Sequence, residues 1–301
     1  MKPRTISLIE VNSAVFLWGL TLMLPKAIRM GPTGMVFFRS LVSVVVLSIF
    51  LKATGGKISV KRPRGYLLMG VLGVILCVHW VTLFAALQMA KAAVVVVALN
   101  TYPALTALAE PLAYRKWPRS MDVALAGVVL AGVLIMLPEV SFSNEVTLAI
   151  VLAVISGALF AARNIIIRKH ASHYGGATLM FWQTLITVVC LLPFVPTAAE
   201  VYSPRNIALL AALGAIFTAL PQSLYAAGLR HLSAKTVGIL SLMQVLYGAI
   251  WGYVLFGETV NLRTATGGAI ILACIVFETI RDIDSDRTPI RMGDEMAASV
   301  H

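Results

Sequence analysis

Polar side chains interrupt the long apolar stretches of this chain at a small number of positions. The amides of Asn100 and Gln244 each offer a donor and an acceptor to an amino or carboxyl group. Tryptophan and tyrosine rings supply flat apolar walls whose faces also attract an ammonium group. The sequence therefore predicts a binding site for a small molecule, built from Asn12, Trp18, Arg39, His79, Trp80, Asn100, Tyr102, Gln222, Gln244, Tyr247 and Trp251.

Three basic residues within these stretches each have more than one interpretation. Arg39 either binds the substrate or pairs with carbonyl or carboxylate groups to join helices, because a charge in lipid needs a partner. His79 either loads and releases a proton near neutral pH, as a proton-coupled carrier requires, or hydrogen-bonds a neighbouring helix. Arg163 comes shortly before Arg168 and Lys169, so its side chain is expected to snorkel towards the membrane surface, with a functional role as the alternative.

Motifs for other kinds of chemistry are missing from the sequence. It has no HExxH, GxSxG, CxxC or Walker A pattern, so we expect neither an enzyme nor a cofactor or metal site. Cys77, Cys190 and Cys274 show no paired spacing and are interpreted as packing residues. Nucleic acid is not an expected partner, because the basic residues form no face or stripe in a soluble domain.

The elements that carry these residues are long and apolar. Of the 301 residues 59% are apolar and 12% charged, and the mean hydropathy is +0.90, which indicates a lipid environment. About 20 apolar residues span a bilayer as a helix, and runs such as AAVVVVAL do not alternate as membrane β-strands do. Ten membrane helices are predicted, at 6–24, 33–51, 66–87, 92–113, 121–137, 146–168, 177–196, 206–229, 236–256 and 262–280.

Basic residues are distributed unequally between the two sets of segment ends. One set, which includes both termini, holds seventeen: Lys2, Arg4, Lys52, Lys57, Lys61, Arg62, Arg64, Arg115, Lys116, Arg119, Arg168, Lys169, Arg230, Lys235, Arg281, Arg287 and Arg291. The other set holds Lys26, Arg29, Lys91, Arg205 and Arg263. Loops rich in Lys and Arg stay in the cytoplasm, so both termini are predicted to be cytoplasmic. The net charge of +11 is thus a signal of membrane topology.

The second half of the chain repeats the first. At an offset of 144, GMVFFRSLVSVV (34–45) aligns with TLMFWQTLITVV (178–189), and at an offset of 141 Leu83 matches Leu224 and Leu99 matches Leu240. Each repeat holds five predicted helices, an odd number, so the second copy enters the membrane inverted. Inverted repeats are typical of alternating-access transporters with a site near the midplane. The predicted units are 1–140, 141–281 and a polar, disordered tail at 282–301.

Small residues indicate where helices approach closely. Gly248 and Gly252 form a GxxxG motif in the ninth segment, and Gly127 with Ala131 places two small residues one turn apart in the fifth.

Several stretches resemble the EamA-type transporters of the drug/metabolite transporter superfamily. They are WGLTLMLPK (18–26), FFRSLVSVVVL (37–47), FAALQMAKAAVVVVALNTYPALTAL (84–108) and LYAAGLRHLSAKTVGILSLMQVLYGAIWGYVLFGE (224–258). The resemblance implies a ten-helix carrier of the bacterial inner membrane with a central cavity and no ATP-binding domain, often an exporter of amino acids or other small metabolites. Such proteins often have a proline in the middle of the ninth helix, where this chain has Gln244-Val245, whereas Pro103 keeps the first-half counterpart.

We therefore expect a secondary transporter that exports small metabolites, with protons as a candidate coupling ion and a monomer or homodimer as its assembly. Import, flipping of a lipid-linked sugar by the same fold, and a channel are the alternatives. A channel is the weakest of them, because the short connections cannot supply a re-entrant filter.

Overall fold

The described chain consists of helices joined by short connections. The computed structural model describes residues 3–60, 63–138, 141, 143–171, 174–195, 202–228 and 234–287, and within these ranges it contains no β-strand. The helices are α1 (Pro3–Thr21), α2 (Leu24–Ala27), α3 (Pro32–Ala53), α4 (Pro63–Met89), α5 (Ala92–Leu99), α6 (Tyr102–Ala113), α7 (Ser120–Met136), α8 (Glu145–Ile166), α9 (Gly176–Leu191), α10 (Pro204–Gly214), α11 (Leu220–Gly228), α12 (Ala234–Phe256) and α13 (Leu262–Arg287). The all-helical prediction is confirmed.

Seven helical stretches have the length and composition of membrane spans: Thr5–Ala27, Pro32–Ala53, Pro63–Met89, Ala92–Ala113, Glu145–Ala171, Gly176–Phe194 and Pro204–Gln222. Three apolar helices are shorter: Ser120–Met136, Met243–Phe256 and Leu262–Phe277. Each of the ten predicted segments overlaps one of these stretches. α13 continues to Arg287, so residues 282–287, which were predicted to belong to a disordered tail, are helical. Residues 288–301 lie outside the described part of the chain.

Helix ends follow local sequence signals. Proline occupies the first turn of α3 and α10, where its missing N–H costs no hydrogen bond. The side chain of Asn144 caps α8 by accepting from the backbone N–H groups of Val146 and Thr147. Gly257, with a φ of +64°, follows the last residue of α12 and reverses the chain.

Helices from the two halves of the chain pack against each other. α1 contacts α11 and α12, and its repeat counterpart α8 contacts α4, α5 and α6. α3 packs on α9 and α7 packs on α13, which are pairs of repeat counterparts. α4 also contacts α9, just as α10 contacts α3. The core of the described chain therefore lies between the halves rather than within each one.

Two segments are irregular near their centres. The fourth segment, predicted as one helix, is broken at Asn100 and Thr101, and Pro103 stands in the first turn of α6, because the ring of a proline cannot continue the preceding helix. In the eighth segment a π-helical turn, Ala215–Ala219, separates α10 from α11. Such turns are frequent at functional sites.

Close helix packing occurs next to the positions where small residues predicted it. In α7 an added Cβ at Gly127 would meet nothing within 4 Å, and Ala131 is exposed. Gly132 and Gly267 instead bring α7 and α13 together, because a Cβ on Gly132 would lie 3.0 Å from the Gly267 carbonyl oxygen. The prediction for Gly127 and Ala131 is wrong, since that face of α7 points away from the described helices. Gly252 packs beside the Glu258 carboxylate, because a Cβ added at Gly252 would lie 2.8 Å from Glu258 Oε2.

Candidate substrate-binding site

A cavity of about 300 Å³ lies between the two halves. Its walls come from α1, α3, α4, both sides of the break between α5 and α6, α8, the π turn, α11 and α12. The lining residues are Trp18, Thr21, Leu22, Arg39, His79, Trp80, Leu83, Phe84, Leu87, Leu99, Asn100, Tyr102, Phe160, Arg163, Asn164, Thr218, Gln222, Tyr225, Ser241 and Gln244.

Eight of the eleven predicted site residues line this cavity: Trp18, Arg39, His79, Trp80, Asn100, Tyr102, Gln222 and Gln244. Three lie outside it, between α1 and α12. The Tyr247 hydroxyl donates to Asn12 Oδ1 at 3.4 Å. Trp251 packs edge-on against Phe16 with ring centroids 5.5 Å apart. This cluster joins α1 to α12.

The Arg39 guanidinium is held on two sides. Nη2 donates to Thr218 Oγ1 in the π turn at 2.9 Å, and Thr218 in turn donates to the Leu213 carbonyl of α10 at 2.6 Å. The guanidinium carbon lies 4.0 Å from the ring centroid of Trp80 and 4.8 Å from that of Phe84, within cation–π range. Arg39 is 4% exposed, and its Nε has no hydrogen-bond partner among the described residues.

Arg163 is buried and lines the cavity, so the expectation that it snorkels to the surface is wrong. Its Nε donates to Gln183 Oε1 at 2.5 Å and its Nη2 approaches Met180 Sδ at 3.3 Å. Gln183 is fully buried and holds the position that Arg39 has in the first repeat. The Arg163 side chain therefore reaches across to α9 and does not extend along α8 towards the surface.

His79 is anchored to α8. Its Nδ1 lies 2.9 Å from the Ser156 carbonyl oxygen and 2.8 Å from the Ser156 hydroxyl oxygen, and this hydroxyl donates to the His79 carbonyl at 3.0 Å. The ring stacks on Phe160 with centroids 5.3 Å apart. Because a carbonyl only accepts, Nδ1 carries a proton in this arrangement.

Aromatic and amide groups form the rest of the wall. Trp18 and Tyr225 have ring centroids 5.0 Å apart, and Tyr102 meets Phe160 edge-on at the same distance. The Asn100 Nδ2 donates to the Val96 carbonyl at 2.8 Å, which leaves its Oδ1 as an acceptor.

The cavity is polar, aromatic and positively charged. Among the described residues that line it, two are arginines and none is acidic. No group of three or more His, Cys, Asp or Glu suited to a metal ion occurs among the described residues.

The sequence also matches a known family along almost its whole length. Residues 6–137 and 147–279 each match the EamA-like transporter family. The chain belongs to this family. The expected resemblance is confirmed, and the chain is therefore a member of a transporter family rather than an enzyme family.

Individual relatives of this EamA-like chain are distant. It is 24% identical over 245 residues to a Pseudomonas aeruginosa protein named pseudopaline exporter CntI, covering 80% of this chain and 84% of that one. It is 22% identical to the uncharacterized transporter YxxF of Bacillus subtilis, covering 93% and 91%. A solved structure titled "Crystal structure of protein" aligns with a TM-score of 0.60 at 17% identity, over 89% of this chain and 95% of that one, and shares the fold.

Several cavity residues of this EamA-like chain were not among the predicted ones. They are Thr21, Leu22, Leu83, Phe84, Leu87, Leu99, Phe160, Arg163, Asn164, Thr218, Tyr225 and Ser241. For Arg163 a signal exists in the sequence: apart from Arg39, all other lysines and arginines lie at segment ends or in the tail. For the apolar residues and hydroxyls the sequence offers no signal, because both types are common on every face of a membrane helix.

Proposed function

We propose that this EamA-like protein is a secondary active transporter that exports small metabolites by alternating access. The observation that carries the proposal is the polar cavity shared by helices of both halves, which is lined by Arg39 and His79 from the first half and by Arg163 and Gln244 from the second. A volume of about 300 Å³ suits a small metabolite, and pockets for small ligands begin near this size. Amino acids and related amphipathic compounds are the proposed range.

The moving parts are two inverted halves of five membrane helices each, residues 1–140 and 141–281. The helix contacts support this arrangement. α1 corresponds to α8 and α11 corresponds to α4 in the repeat, and α1 contacts α11 just as α8 contacts α4. The repeat also relates α3 to α9 and α7 to α13, and the two helices of each of these pairs contact each other. Such an arrangement lets one half rock against the other around a central site.

The bacterial inner membrane is the proposed location, with both termini in the cytoplasm. The seventeen basic residues on the terminal face, against five on the opposite face, support this orientation. Similarity to a protein named as an exporter supports the direction of transport. The driving force is the substrate gradient or proton antiport.

An untargeted comparison of small molecules in the culture medium tests the proposal. Cells that overproduce the wild-type protein are compared with cells that produce the Asn100→Ala, Gln244→Ala double variant at equal membrane levels, and with cells that carry an empty vector. Export predicts that one class of metabolite accumulates outside the wild-type cells alone. Depletion of a metabolite from the medium by wild-type cells would instead show uptake and overturn the proposed direction.

A further inference from the structure

We propose that the substrate is an organic anion with two acid groups, one bound by Arg39 and the other by Arg163. This inference rests on the proposed function and names the class of compound that the cavity takes.

The charge of the cavity is the first step. Arg39 is 4% exposed and Arg163 is 9% exposed, and no described lining residue is acidic. A buried charge without a counter-charge is costly, so such groups are normally paired. An anionic substrate supplies the missing charge, whereas the ammonium group of a cationic substrate would find no carboxylate in the described wall.

Unused hydrogen-bond donors are the second step. A guanidinium carries five N–H donors in a planar fork that fits a carboxylate in a bidentate manner. Thr218 accepts one bond from Arg39, and the buried Nε of Arg39 has no partner among the described residues. Gln183 and Met180 engage one edge of Arg163. Protein encloses the Arg39 Nε, so the donor left for a ligand on each guanidinium is Nη1, for which no partner occurs among the described residues.

The origin of the two arginines is the third step. Arg39 comes from the first half, and Gln183 replaces it at the equivalent position of the second half, where Arg163 of α8 supplies the charge instead. One arginine thus comes from each half. A substrate with two acid groups spans the halves and neutralises both charges, which a compound with one acid group does not.

The walls define the rest of the compound. Trp80 and Phe84 flank Arg39, and Phe160 lies one turn before Arg163 in the same wall. Trp18 and Tyr225 pack against each other in the wall, with their rings tilted by 44°. A flat apolar body between the acid groups fits these surfaces, so benzene-1,3-dicarboxylate is a suitable probe.

Binding is measured by the thermal unfolding of purified protein in detergent, titrated with benzene-1,3-dicarboxylate, with its neutral diamide and with benzoate. The dicarboxylate is expected to bind at least tenfold more tightly than either. Arg39→Gln and Arg163→Gln are each expected to weaken its binding by about tenfold to a hundredfold, the value of a hydrogen bond to a charged group. Arg39→Lys and Arg163→Lys keep the charge and are expected to lose less. Arg64→Gln makes the same change at an exposed site outside the cavity and should leave binding unchanged.

Equal binding of the diamide and the dicarboxylate, or wild-type affinity in both glutamine variants, would overturn the proposal. If a glutamine variant does not fold, the wild-type protein and the lysine variants still test the proposal. It would be overturned if these proteins bound benzoate as tightly as the dicarboxylate. Transport is measured separately in proteoliposomes. Binding of the dicarboxylate without transport would support the anion site and contradict the transporter, whereas export of a neutral or cationic metabolite by both glutamine variants would support the transporter and overturn the anion site.

Discussion

The partners of Arg39 indicate whether this residue binds a ligand or joins helices. Its partners are a hydroxyl and two aromatic faces, with no carboxylate among the described residues. Binding sites commonly retain groups that lower the stability of the empty protein. This arrangement supports the interpretation of Arg39 as a ligand group over the alternative of a staple between helices.

The stability of the empty protein tests this interpretation of Arg39. We expect Arg39→Gln, without ligand, to unfold at or above the wild-type temperature, because it removes a buried charge that lacks a counter-charge. Thermal unfolding in detergent measures the effect. A staple predicts the reverse, a loss of about 3 kcal/mol or more on removal of one partner of a buried charge pair.

His79 leads to a prediction about proton coupling. Asparagine reproduces the donor at Nδ1 that binds the Ser156 carbonyl, so His79→Asn is expected to keep transport and its dependence on pH. His79→Ala removes the Nδ1 donor that the buried Ser156 oxygens accept from, and should cost about 1–3 kcal/mol of stability. Transport in proteoliposomes across a range of pH measures both. Loss of the pH dependence in well-folded His79→Asn protein that still transports would instead assign the proton-carrying role to His79.

Residue types alone predicted much of the cavity wall, because an amide, an arginine or a histidine in lipid has few reasons to be there. Hydroxyl groups gave no such signal. Thr218 lines the cavity, whereas Thr184 and Ser40 bond the carbonyl four residues back and are buried elsewhere. Both behaviours satisfy a hydroxyl equally well in a membrane helix. Only the tertiary structure separates them.

At the scale of elements, the break between α5 and α6 shapes the site. It places Asn100 and Tyr102 on the cavity wall, and α8 packs against it through Gly157. A Cβ on Gly157 would lie 2.8 Å from the Leu99 carbonyl oxygen. Because Gly157 has no side chain, α8 can approach the break between α5 and α6 this closely.

Replacement of Gly157 tests the importance of this contact. We expect Gly157→Ala to push α8 away from the break, to lower stability by about 1–3 kcal/mol as overpacking does, and to reduce transport. Gly127→Ala is the matched control, because an added Cβ there meets nothing within 4 Å. That change should stabilise α7 by about 0.4–1 kcal/mol. Equal behaviour of the two variants in unfolding and transport assays would contradict a role for the contact.

Hydropathy predicted the segments and missed their interruptions. Ten apolar stretches were predicted and each overlaps an apolar helix, since lipid demands long helices. The interruption at Asn100 and Thr101 and the π turn at Ala215–Ala219 were not predicted. An apolar run has the same hydropathy whether its helix is continuous or broken, and Pro103 alone does not separate a kink from a break.

At the scale of the whole molecule, two ion pairs connect the halves. Lys26 pairs with Glu258, which also accepts from the Ala92 backbone N–H at 2.9 Å. Arg168 pairs with Glu110 at 2.7 Å. Each joins the end of the first segment of one half to the end of the fourth segment of the other. Exchange of the halves interchanges the two pairs.

The two pairs differ in exposure. The Lys26 and Glu258 side chains are 18% and 11% exposed, whereas Arg168 is 72% exposed. Exposed ion pairs contribute about 0–1 kcal/mol, so the pair at the Lys26 face is the stronger connection. In alternating access, the contacts that close one face must break when that face opens. If the halves rock as proposed, the Lys26–Glu258 pair must break before its face can open.

A reversible crosslink between these positions tests alternating access. In the double variant Lys26→Cys, Glu258→Cys, we expect a short linker that is cleavable by reductant to abolish transport in proteoliposomes, because the face can no longer open. Cleavage should restore the rate of the untreated variant. Treated wild-type protein controls for Cys77, Cys190 and Cys274, of which the first and last are buried.

A second crosslink separates a locked face from a general loss of mobility. Met30→Cys with Gln88→Cys lies within the first half, where the Gln88 amide donates to the Met30 carbonyl at 2.8 Å. These positions move together if the halves rock as units, so this linker should leave transport intact. Full transport with the linker between residues 26 and 258 in place would show that substrate passes without opening this face, and the rocking of the two halves would then be wrong.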